Sequence, residues 1–114
     1  MKQNLEESQT AKLIEMGFEK PKNRLVKQRF VRSTSSWIVV GEEGDYYIGE
    51  LLSFLPENIA KENEMPSTLN ISLMNGEWCV QYADFLGTDF EFCNTELVDA
   101  LYDMLVKLKE KGVI

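Results

Sequence analysis

The groups in this sequence with a capacity for chemistry are few. Two cysteines, Cys79 and Cys93, stand among four acids, Glu77, Asp84, Asp89 and Glu91. Two or three carboxylates converging on one divalent cation would support phosphoryl chemistry. A restriction-type nuclease pattern also needs a lysine two residues beyond its second acid, whereas Glu91 is followed by Phe92 and Cys93. These acids are therefore read as solvated strand and turn residues. The cysteines lie 14 residues apart, outside the Cys-x-x-Cys spacing of a redox couple, and are read as reduced, incidental thiols. Histidine is absent, which excludes Ser-His-Asp and Cys-His catalysis and any zinc site with an imidazole ligand. Gly41, Gly44 and Gly49 have neither of the spacings of a phosphate-cradling loop. No catalytic, cofactor-binding or metal-binding residue is assigned, and the chain is read as not an enzyme. Its melting temperature is expected to ignore both chelator and reductant.

Charge is distributed unevenly. Lys20, Lys22, Arg24, Lys27, Arg29 and Arg32 fall in a stretch to Gly41 that contains no acid, although the whole chain carries a net charge of −7. Such a strip could dock nucleic acid through Lys27, Arg29 and Arg32, with Phe30 and Trp37 as stacking platforms. It could instead be a β-ribbon whose outward Lys and Arg protect an edge and pair with acidic neighbours, and this second reading is preferred. A net negative charge opposes adhesion to phosphate at long range, but screening beyond about 8 Å leaves local contact open. Aromatic residues are numerous, and most are assigned to the core. Tyr46 and Tyr47 are the exceptions, expected to be exposed and to dock a protein partner or a second copy of the chain.

The elements that must position these residues follow from periodicity and turn chemistry. A helix is expected near Leu5–Met16, capped by Asn4 or beginning at Ser8, with Gly17 as its C-terminal stop. Residues 24–32 and 35–40 read as a hairpin, followed by a turn at Gly41–Asp45. Ile48, Leu51, Leu52 and Leu55 have helical spacing, which Pro56 limits. Ala60–Met65 reads as a loop. Leu69, Ile71 and Leu73 alternate with Asn70, Ser72 and Met74, and Asn75-Gly76 is a hairpin turn leading to Trp78–Tyr82. Thr88–Phe92 adds a short strand. Asn94 or Thr95 then caps a helix with the apolar stripe Leu97, Leu101, Met104, Leu105 and Leu108. The amino terminus has no apolar h-region and the longest apolar runs are too short to span a bilayer, so a cytoplasmic protein with no membrane partner is expected.

The segments SQTAKLIEMGF, YYIGELLSFLPENI, LNISLMNGEWCVQYADF and ELVDALYDMLVKLKEKG occur in that order and cover most of the chain. In these segments the chain resembles small proteins encoded in Bacteroidetes-type phages, prophages and other mobile elements. The resemblance implies an α+β accessory protein of mobile DNA and supplies no site residues. The expected architecture is one α+β domain over residues 1–114, with a mostly antiparallel sheet of four or five short strands and helices chiefly on one face. Its order is αββαββ(β)α. The expected function is a non-enzymatic accessory or protein-interaction role, and the alternative is a nucleic-acid-binding module using the basic segment 20–32.

Overall fold

The computed structural model of the chain describes residues 2–21, 25–43, 45–60 and 65–114, with 25–29, 31 and 37–43 described through their backbone alone. Among these residues three helices and six strands follow in the order α1 (Glu7–Glu15), β1 (Leu25–Val31), β2 (Ser36–Glu43), α2 (Ile48–Phe54), β3 (Asn58–Ile59), β4 (Ser67–Met74), β5 (Glu77–Asp84), β6 (Gly87–Asn94) and α3 (Leu97–Glu110). The class is α+β. The main sheet has the order β3-β4-β5-β6 with every neighbour antiparallel, while β1 and β2 pair as a separate ribbon.

The pleat decides which residues reach the core. Leu69, Ile71 and Leu73 of β4 pair with Tyr82, Val80 and Trp78 of β5, and Tyr82 and Val80 pair in turn with Phe90 and Phe92 of β6. Alternation puts all of these on one face. Against that face lies α3, whose Leu101, Met104, Leu105 and Leu108 are fully buried beside Val80 and Tyr82. Leu51 of α2 and Leu13 of α1 complete the cluster. The opposite face of the sheet carries Thr68, Asn70, Glu77 and Glu91, all exposed. The expectation of helices chiefly on one face therefore matches the structure.

Turn chemistry performs as its residue types require. Asn75 and Gly76 both take positive φ, 52° and 80°, as a type I′ hairpin demands. Gly112 (φ 72°) ends α3, and the Val113 N–H donates to the Leu108 carbonyl across it at 2.9 Å. Boundaries shift where tertiary pairing competes with local signals. The N-cap of α1 is Glu6 rather than Asn4, because Asn4 is bridged to Tyr47, and the Gln9 side chain accepts the Glu6 N–H at 3.0 Å. The turn expected at Gly41–Asp45 is strand as far as Glu43, since β1 offers ladder partners back to Leu25. The N-cap of α3 is Glu96 rather than Asn94 or Thr95, although the Asn94 side chain still accepts the Glu96 N–H at 2.9 Å. Most of the loop expected at Ala60–Met65, residues 61–64, lies outside the described residues.

The chain's amino end is fastened to α3 by charge. The Lys2 ammonium lies 2.9 Å from the Asp99 carboxylate, which also accepts from the Gln9 amide at 2.9 Å. Burial pulls the Lys2 pKa down, and the hydrogen bond and charge of Asp99 more than reverse this, leaving it raised. One buried group in this region lacks such a partner. The Thr10 hydroxyl oxygen is buried without a hydrogen bond. Thr10→Val keeps the shape and removes the unsatisfied group, so a stability gain of about 1 kcal/mol is expected in urea unfolding. An unchanged or lowered midpoint would contradict this assignment.

Candidate functional site

The residues singled out for nucleic-acid docking all belong to the ribbon or its turn. Backbone register places Lys27 opposite Gly41 and Arg29 opposite Ile38. Arg32 is exposed in the turn that joins the strands, where its carbonyl accepts the Ser35 N–H at 3.3 Å. Lys22 and Arg24 lie outside the described residues. Among the described residues the ribbon shares no strand pairing with the main sheet.

The tyrosine pair divides. Tyr47 is 43% exposed at the N-cap of α2, as expected, but Tyr46 is fully buried. This corrects the expectation that both form a docking patch. Tyr47 takes extended backbone (φ −90°, ψ 162°), a geometry in which successive side chains point to opposite sides. The Tyr46 ring packs edge-on against Phe54 at 5.6 Å, and its hydroxyl donates to the Glu19 carbonyl. Tyr46 is a core residue.

The cysteines are corrected as well. Cys79 and Cys93 are directly opposed on β5 and β6, with Cα atoms 4.1 Å apart, and form a disulfide. The separation of 14 residues marks two positions equidistant from a hairpin turn centred near Leu86. That turn was the signal to use, rather than a Cys-x-x-Cys template.

The four acids do not gather. The Asp84 side chain accepts the Leu86 and Gly87 N–H groups at 2.8 and 3.0 Å and so shapes the turn. Asp89 accepts the Ser67 hydroxyl from across the sheet. Glu77 and Glu91 are exposed on the face away from the helices. Among the described residues no group of three or more His, Cys, Asp or Glu side chains could hold a metal ion. No helix among them is long and apolar enough to cross a membrane.

A shallow cleft of about 240 Å³ lies between β6 and α3, lined by Phe92, Tyr102, Asp103, Val106, Lys107 and Glu110. Burial, reinforced by the Asp99 charge one turn earlier, raises the Asp103 pKa. A raised folded-state pKa means that the ionised carboxylate is disfavoured by folding, so Asp103 destabilises at neutral pH and this burden is relieved as pH falls. Asp103→Asn is therefore expected to raise the melting temperature at pH 7 and to leave it nearly unchanged below about pH 3, where the carboxyl is protonated in both states. Melting curves at the two pH values check this.

The most distinctive surface is the edge of β4 that, among the described residues, has no strand beside it beyond Leu69. Its partner β3 covers only Ser67 and Thr68, with a further bond from the Leu69 N–H to the Glu57 carbonyl at 3.0 Å. Pro56 comes next, and a proline cannot donate to the ladder, so pairing stops there. Since the Leu69 N–H points outward, the N–H and C=O groups of Ile71 and Leu73 point the same way. Ile71, Leu73 and Met74 are 36%, 57% and 60% exposed. No charged residue occurs from Ser67 to Met74. The opposite edge strand, β6, carries Asp89 and Glu91 and has a register shift, features that guard an edge against added strands. The neutral composition of β4 was visible in the sequence, but its being an edge was not.

No family model matches the chain, and no curated protein or solved structure shows significant similarity to it.

Proposed function

We infer that the protein is a non-enzymatic, protein-binding accessory factor that receives an extended segment along β4. The observation that carries this reading is the five-residue window Asn70–Met74, which combines outward backbone groups, exposed apolar side chains and no charge. Strand addition draws affinity from main-chain hydrogen bonds and specificity from alternate side chains. The resemblance to proteins of phages and mobile elements supplies the setting, an accessory role in mobile DNA. In the cytoplasm, the compartment that goes with it, the Cys79–Cys93 pair would be held reduced, so the bridge belongs to the oxidised protein.

The test uses a blocked peptide, Thr-Val-Thr-Val-Thr, titrated into labelled protein. Amide shifts confined to Asn70–Met74, and lost in Leu73→Lys, are expected. Shifts elsewhere, or none, count against the reading. The alternative, nucleic-acid docking, is favoured by one observation, the separate ribbon that carries Lys27, Arg29 and Arg32. Oligonucleotide binding at about 150 mM salt that disappears when these three become Ser would replace the protein-binding reading. No such binding is expected.

A further inference from the structure

We propose that the strand received by β4 is β4 of a second copy, so that two chains join their sheets about a two-fold axis at Ser72. This rests on the reading of β4 as a strand-receiving edge and adds the identity of the partner.

The argument is one of register and length. A two-fold axis at Ser72 sets Ile71 of one copy opposite Leu73 of the other, and Asn70 opposite Met74. Ile71 and Leu73 are the residues whose backbone groups face outward, so each opposed pair exchanges two hydrogen bonds, as antiparallel geometry requires. Ser72 meets Ser72 at the axis in a non-hydrogen-bonded position, where opposed side chains approach most closely and a small residue fits. On the helix-bearing face, the exposed Ile71 and Leu73 of both copies form a patch of four apolar side chains.

The ends of the window match a second copy better than an arbitrary strand. In this register the Asn75-Gly76 turn of one copy falls opposite Leu69 of the other, the residue at which the β3 side begins to be occupied. The incoming chain thus turns away where a longer straight strand would meet Glu57 and Asn58. An isologous contact needs self-complementarity, and the Ile71-Ser72-Leu73 triplet reads nearly the same in both directions. Charge sets the conditions. Each copy carries −7, while the strand itself is neutral, so repulsion acts from the rest of the surface and is screened by salt. Dimerisation should tighten as salt rises, opposite to the response of nucleic-acid binding.

Sedimentation equilibrium from about 1 to 500 µM protein tests the proposal, a range suited to a contact made by one short pair of strands. The expected result is a mass rising from 13.1 kDa toward twice that value, at lower concentration when salt is raised. Leu73→Lys should remain monomeric throughout with an unchanged melting temperature. Phe85→Lys, on a side chain 77% exposed at the β5–β6 turn, should dimerise like the parent. A parent that is monomeric throughout overturns the proposal, as does a dimer that survives Leu73→Lys or dissolves in Phe85→Lys. A monomeric parent whose Ile71 and Leu73 amides still respond to the Thr-Val peptide loses only the second copy as partner. A monomeric parent without that response loses strand addition as well.

Discussion

Leu101→Ala is expected to destabilise the protein by about 2–5 kcal/mol, enough to remove a large share of the stability typical of a domain this size. Leu101 is fully buried at the middle of the α3 stripe, beside Leu105 and the inward residues Val80 and Tyr82 of β5. Truncation removes the burial of the lost methyl groups and leaves a cavity that α3 cannot close, because Met104, Leu105 and Leu108 hold the helix to the sheet. Leu105→Ala should behave alike. Asp103→Asn, in the same turns of α3 but on the cleft side and only half-buried, should show no comparable loss. Urea midpoints of the three variants decide the matter, and equal losses would mean that the buried face of α3 is wrongly assigned.

Reduction of the Cys79–Cys93 disulfide is expected to lower stability by about 3 kcal/mol, from the loop entropy restored to the unfolded chain by a bridge of this span. This replaces the expectation from sequence that reductant would have no effect. For a domain of this length the loss corresponds to a melting temperature lower by the order of 10 °C. Calorimetry with and without reductant measures it, and Cys79→Ser/Cys93→Ser should melt near the reduced protein and ignore reductant. Identical melting of the parent in both conditions would show that the bridge contributes nothing to the fold in solution. The register of β5 against β6 does not depend on the bridge alone, since Tyr82 and Val80 remain opposed to Phe90 and Phe92. The hairpin should therefore survive reduction in a weakened form.

The pattern of residues by itself determined the helices, most strands and the inward face of the sheet. Leu97–Leu108 could be read because a stripe at helical spacing is buried whatever it packs against, and Trp78, Val80 and Tyr82 because a strand period of two assigns faces without knowledge of neighbours. Asn75-Gly76 could be read because positive φ at two successive residues is tolerated by few residue types. Tertiary structure decided what depends on partners distant in the chain. The two-residue strand β3 exists only because Ser67 and Thr68 are there to pair with it, and Pro56 before it bars further pairing, so that among the described residues no strand lies beside Asn70–Met74 on that side. Tyr46 and Tyr47 have the same local chemistry, and only the packing of Phe54 and the Glu19 carbonyl separates the buried ring from the exposed one. Cys79 and Cys93 became a bridge through the register of two strands, a property of their pairing and not of either segment. Periodicity fixes which way a side chain faces along its own element, whereas edges, bridges and sites arise between elements, where the chain's one-dimensional order carries no distance.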